Sequence, residues 1–135
     1  MTTAVASPSD IRTLADLLRG LGDIPPDRVL FDPLPGTATV QDVINVHARS
    51  KRLCELVDGT LVEKGMGYKE SVLAIAIAAA LREFVLPRNL GLVSGESGMM
   101  KLFAGLVRIP DVAYASWERI PGRRMPVEPV PHLVP

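Results

Sequence analysis

Two stretches near the start of the chain carry apolar residues at helical spacing. The residues are Ile11, Leu14, Leu17, Leu18 and Leu21 in the first stretch, and Val40, Val43 and Ile44 in the second, with His47 at the edge of the same side. The first stripe predicts a short amphipathic helix with Ser7 or Ser9 as its N-cap. Before the second stripe, Thr39 is followed three residues later by Asp42, an arrangement that resembles a capping box and predicts a second short helix.

The segment CELVDGTLVEK carries the clearest local signal in the sequence. Apolar and polar residues fill two short runs, residues 53–57 and 60–64, on either side of Asp58 and Gly59. Asp-Gly is preferred in type I′ turns because both central residues need a positive φ. The segment therefore predicts a β-hairpin.

A long apolar run follows the hairpin. The segment of residues 65–89 predicts one long helix, and Pro87 within that segment ends the helix because proline disfavours helix in the residue before it. Its uncharged stretch, residues 71–81, is much shorter than the ~20 residues that span a bilayer, so the pattern favours a helix buried in the core.

Glycine turns divide residues 90–116 into two or three further strands, and the order of elements predicts an α/β layer fold with a mixed sheet. We divide the chain into an N-terminal helix and linker (residues 1–36), a main α/β portion (residues 37–120) and a proline-rich connector (residues 121–135).

Composition narrows the function classes. The 135 residues suit one domain, and 15 basic residues balance 15 acidic ones, so no overall positive field attracts nucleic acid or an anionic membrane. Cys54 is the single cysteine and predicts core packing rather than catalysis. The N-terminus has no signal-peptide pattern, and together these features predict a cytoplasmic protein without a membrane partner. A zinc role for His47 or His132 is disfavoured because neither has a second ligand at metal spacing.

Asp111 is the candidate for chemistry, because it lies directly after Pro110 within the apolar segment GLVRIPDVAYAS. A carboxylate among apolar neighbours needs a partner, unless it lies in a turn and caps a backbone amide. Magnesium is one possible partner, and it would need a second carboxylate. The candidates are Glu55, Glu63, Glu70 and Glu96. For Glu55 and Glu63 a solvated strand edge is the simpler interpretation, and for Glu96 a loop.

The ordered set CELVDGTLVEK, KES at the start of an apolar helix, VRIPDVAYASWERIP and a proline-rich connector resembles the Uma-two family of restriction-endonuclease-like proteins. That family is part of the PD-(D/E)xK nuclease superfamily. The resemblance extends from about residue 37 to the last residue. It implies a restriction-endonuclease-like mixed sheet flanked by helices, in a bacterial protein whose site hydrolyses DNA with Mg²⁺ or Mn²⁺.

The resemblance also implies site residues. Asp111 matches the aspartate of the PD strand and Glu70 matches the helix glutamate, and both would be catalytic metal ligands. In similar proteins a further strand with a second Glu and a Lys follows the proline-rich connector, whereas this sequence stops at PHLVP. We therefore expect a C-terminally incomplete fold and at most feeble nuclease activity from this chain alone.

The alternative is a non-catalytic binding or assembly module that recruits a partner through an unfinished sheet edge. In either case the missing strand would leave an open edge along residues 106–114. We expect such an edge to promote homo-oligomers or aggregation.

Overall fold

The computed structural model describes residues 10–65 and 67–134 and contains three α-helices and six strands in this region. The helices are α1 (Leu14–Gly20), α2 (Val40–Ser50) and α3 (Tyr68–Val85). The strands are β1 (Cys54–Val57), β2 (Thr60–Glu63), β3 (Gly91–Ser94), β4 (Met100–Phe103), β5 (Leu106–Arg108) and β6 (Ala113–Ser116). The described residues thus form the α/β arrangement of helices and strands that the sequence predicted. No helix among the described residues is long and apolar enough to cross a membrane.

Capping boxes start the first two helices. In α2, the Thr39 amide donates to the Asp42 carboxylate at 2.7 Å, as predicted. In α1 the same arrangement is formed by Thr13 and Asp16. The N-cap of α1 is therefore Thr13, and the prediction of Ser7 or Ser9 was wrong. Both serines lie outside the described residues.

Four strands form an antiparallel sheet in the order β2-β1-β5-β4. Asp58 and Gly59 have φ angles of 46° and 80°, so they form the predicted left-handed turn between β1 and β2. Helix α2 covers this sheet, and its Val43 and Val46 pack with Leu56, Leu61 and other buried residues in the main core.

Short segments cover both edges of the four-stranded sheet. Val29 bridges to Val62 of β2, and the amide of Leu30 donates to the carbonyl of Leu61 at 2.9 Å. At the other edge, His132 forms an isolated parallel bridge to Lys101 of β4. The pairings between the described strands are all antiparallel, whereas the sequence predicted a mixed sheet. Residues 106–114 were predicted to form an open edge. For residues 106–108 that prediction was wrong, because β5 lies between β1 and β4, whereas β6 pairs only with β3 among the described strands.

The remaining strands, β3 and β6, form a separate antiparallel pair, and α3 packs beside β3. Helix α3 ends at Val85, before Pro87, as predicted. It is not a buried helix, however, because only Ala74 and Val85 are buried and the apolar side chains around them remain largely in water. The sequence of α3 correctly predicted a helix. It could not predict that only one narrow stripe of the helix is buried, where α3 packs beside the two-stranded sheet.

Candidate active site

The β1–β2 hairpin delivers a lysine to the cleft that separates it from α3. The antiparallel ladder continues one residue beyond β2, since the Lys64 amide donates to the carbonyl of Leu53 at 2.8 Å. This backbone pairing fixes the start of the Lys64 side chain, which is only 9% exposed. Its ammonium group donates to the carbonyl of Glu96 at 2.8 Å.

Asp111 lies in a bend between β5 and β6, directly after Pro110. Its Oδ1 lies 3.0 Å from the Nζ of Lys64, and its side chain is 59% exposed. Asp111 thus lies at a bend, but its side chain caps no backbone amide among the described residues. Its partner there is the ammonium group of Lys64. Oδ2 forms no hydrogen bond with the described residues, which leaves that oxygen available to a ligand.

Glu70 reaches the same cleft from the first turn of α3, where the helix dipole favours a negative charge. The Glu70 carboxylate folds back over Gly67, so closely that a methyl group built on Gly67 would collide with Oε2. The absence of a side chain at Gly67 therefore permits this position of Glu70.

The cleft has a volume of about 650 Å³ and is formed by four separate parts of the chain: the ends of the hairpin, the first turns of α3, the loop between β3 and β4, and the bend after β5. Its polar lining consists of Lys64, Tyr68, Glu70, Ser71, Glu96 and Asp111. The fold thus brings together Asp111 and Glu70, the two residues that the sequence suggested, on one open cavity.

The other acidic candidates have different surroundings. Glu55 is tied to β5, because its carboxylate accepts from the Arg108 guanidinium at 2.9 Å and from the Ile109 amide at 3.0 Å. Glu63 lines a different cleft, beside Arg49 and Arg52. Glu96 does line the candidate cleft, and its backbone carbonyl holds Lys64.

The donors in the cleft suit a hard divalent cation. Magnesium prefers oxygen ligands, keeps several waters and is typically held by one or two carboxylates together with substrate phosphate. Asp111 and Glu70 supply two carboxylates, and the free Oδ2 of Asp111 is available for a metal. Within residues 10–65 and 67–134 no group of three or more acidic, histidine or cysteine side chains is arranged to hold an ion. The protein ligands alone therefore predict weak binding.

Cys54 takes no part in this cleft. Its side chain is fully buried in β1, and burial raises the pKa of the thiol to about 11, with the nearby Glu63 carboxylate acting in the same direction and Arg52 opposing it. Because the thiolate is the reactive form, this environment suits core packing rather than nucleophilic chemistry.

Lys64 is the residue of the cleft that sequence reasoning missed. The lysine was expected on a strand beyond the proline-rich connector, whereas the structure places a lysine from the hairpin next to Asp111. The only signal in the sequence was its position at the end of the second hairpin strand, and that position alone does not reveal a contact with a residue 47 positions later.

Comparison with known proteins supports a nuclease relationship. Residues 41–134 match the protein-family model Uma2, described as "putative restriction endonuclease". The match includes the hairpin, all of α3 and the bend that carries Asp111. No curated protein matches the chain.

Proposed function

This chain belongs to the Uma2 family, and we propose on that premise that its cleft binds the scissile phosphate of DNA for metal-dependent hydrolysis of a phosphodiester bond. The observation that carries the proposal is the convergence of Asp111, Glu70 and Lys64, from three separate elements, on one cavity. The family resemblance implies a site with an aspartate, a helix glutamate, a second glutamate and a lysine. Asp111 and Glu70 match the first two, and Lys64 supplies a lysine from a different strand.

Asp111 and Glu70 are the residues that would hold a Mg²⁺ or Mn²⁺ ion. When bound, the ion supplies charge that polarises the phosphoryl oxygens and makes a coordinated water more acidic. Oδ1 of Asp111 is paired with Lys64, and Oδ2 has no hydrogen-bond partner among the described residues, so Oδ2 would be the oxygen that binds the ion. This ion pair thus orients the aspartate before a ligand arrives.

Lys64 has a second role in the proposal. Its nearly buried ammonium lies at the wall of the cleft and is hydrogen-bonded on one side to the carbonyl of Glu96. A phosphate that enters the cleft would meet a fixed positive charge, which attracts its oxygens and opposes the negative charge of the two carboxylates.

Turnover by these residues alone is expected to be slow, because two carboxylates hold a divalent ion weakly and residues of a catalytic set act together. The test is hydrolysis of labelled DNA duplex with Mg²⁺ or Mn²⁺, compared between the natural chain and the variants Asp111→Asn and Glu70→Gln. The exposed Glu118 provides a matched control, Glu118→Gln, outside the cleft.

We expect slow cleavage that requires the metal, disappears in both cleft variants and is unchanged in Glu118→Gln. Cleavage that persists in Asp111→Asn would contradict the site. The assembly alternative has less support at the four-stranded sheet, because short segments cover both of its edges. Among the described strands, β3 and β6 each pair with one strand only.

A further inference from the structure

Helix α3 exposes an unusually apolar surface on the side that faces away from the cleft. It contacts the rest of the protein along one stripe, formed by the buried Ala74 and Val85 and the half-buried Ala78 and Leu81. The opposite side carries Val72 and Leu73, which are 54% and 62% exposed. No charged residue occurs between Glu70 and Arg82.

We call this surface the outer face of α3; it consists of Val72, Leu73, Ala76, Ala79 and Ala80, with Lys69 and Glu83 at its two ends. With 100° between successive residues, these positions share one side of the helix, opposite the stripe that packs on the protein. With neighbouring Ile75, Ile77 and Phe84, the exposed apolar area is on the order of 600 Å². An exposed apolar area of this size is at the upper end of what typical monomers leave in water. It approaches the roughly 800 Å² of surface that each partner buries in a standard interface.

We propose that the outer face of α3 is a homodimer interface, in which the helices of two copies pack antiparallel with Ala76 on the two-fold axis. The inference goes beyond the proposed function and does not depend on it, since Glu70, Ser71 and Ala74 line the cleft on the other side of the helix.

The spacing of large and small residues identifies a second copy as the occupant. In an antiparallel pair with Ala76 on the two-fold axis, a residue that precedes Ala76 by a given number of positions faces, in the other copy, the residue that follows Ala76 by the same number. Leu73 therefore meets Ala79 of the other copy, and Val72 meets Ala80. Bulky side chains thus lie opposite alanines, which lets the two helices approach closely and interdigitate.

The charges at the ends of the outer face are complementary in the same register. Lys69 and Glu83 lie seven residues on either side of Ala76, so the arrangement places Lys69 of each copy beside Glu83 of the other. Both side chains are exposed, and neither forms an ion pair within the described part of the chain. A parallel pair would instead bring like charges together at both ends, which selects the antiparallel arrangement.

The first experiment measures mass by light scattering or sedimentation at chain concentrations from about 1 to about 100 μM, which covers dissociation constants in the micromolar range. We expect the mass to rise from that of the 14.6 kDa chain to twice that value. Ala76→Glu should remain monomeric throughout, because it places two like charges on the two-fold axis. A natural chain that stays monomeric, or an Ala76→Glu variant that still dimerises, would overturn the proposal.

Charge exchange tests the register. Lys69→Glu and Glu83→Lys should each weaken dimerisation about tenfold, because two symmetric contacts become repulsive. The double variant restores both contacts with reversed signs and should dimerise within about threefold of the natural chain. Arg82→Glu, a charge reversal beside the outer face, is the control and should dimerise normally. A double variant as weak as the single variants would contradict the antiparallel pairing, and far-UV circular dichroism confirms that each variant is folded.

Discussion

The Gly59→Ala substitution tests the hairpin that delivers Lys64 to the cleft. Gly59 has a φ of 80°, and a methyl group built on it would lie 2.6 Å from the backbone carbon and oxygen of Gly36. The carbonyl of Gly59 also accepts hydrogen bonds from the amides of Gly36 and Ala38, at 2.9 and 2.8 Å. The turn is therefore packed against backbone that has little room to move.

The expected cost has two parts. Left-handed backbone costs a residue with a side chain roughly 1 to 2 kcal/mol, partly offset by the lower entropy that alanine gives the unfolded chain. Displacing Gly36 would also weaken two hydrogen bonds, each worth about 1 kcal/mol. We expect Gly59→Ala to lower the free energy of unfolding by about 3 kcal/mol.

Gly22 provides the control, because its φ is 88° but a methyl group there would meet no atom within 4 Å. Gly22→Ala should therefore show the backbone strain alone, about 1 kcal/mol. Urea unfolding of both variants gives the difference. If the two substitutions cost the same within about 0.5 kcal/mol, the close contact between the hairpin turn and Gly36 is not present in the protein.

Three other substitutions or measurements probe the surroundings of the site. Gly67→Ala should displace the Glu70 carboxylate and weaken Mn²⁺ binding severalfold, while the unfolding free energy changes by no more than about 1 kcal/mol. Glu55→Ala should destabilise the protein by about 2 kcal/mol in urea unfolding, because the amide of Ile109 loses its acceptor, whereas Glu55→Gln keeps an acceptor oxygen and should cost less. Because the pKa of Cys54 is raised from 9.0 to about 11 in the folded state, the unfolded thiol ionises first as pH increases. Its contribution to stability is complete below pH 9 and is lost as the pH rises from 9 to 11. Unfolding of Cys54→Ala should show a correspondingly smaller loss over that interval.

Local signals in the sequence predicted the elements that local chemistry determines. Asp58 and Gly59 specify a left-handed turn whatever surrounds them, and Thr39 with Asp42 caps α2 through atoms only three residues apart. The same reasoning failed at α1 because Thr13 and Asp16, which form the same capping box, were passed over for the serines that precede them.

Properties that depend on distant contacts could not be predicted in the same way. The apolar sequence of α3 predicts a helix, but its burial depends on which elements pack around it, and only one stripe is covered. Asp111 was singled out by its position in an apolar segment, and the family resemblance selected Glu70 among four acidic candidates. Lys64 reaches Asp111 only through the register of the hairpin and the position of the bend after β5. The covered edges of the sheet likewise result from segments far apart in sequence.

A titration with Mn²⁺, followed by electron paramagnetic resonance, tests the central proposal most directly, because it measures metal binding without requiring turnover. The natural chain should bind one ion weakly. Asp111→Asn and Glu70→Gln should each reduce the affinity at least about tenfold, since even the loss of a residue that only supports a ligand has an effect of that size. Glu118→Gln should bind as the natural chain does. Equal Mn²⁺ affinity in the natural chain and both cleft variants would contradict the assignment of Asp111 and Glu70 as metal ligands.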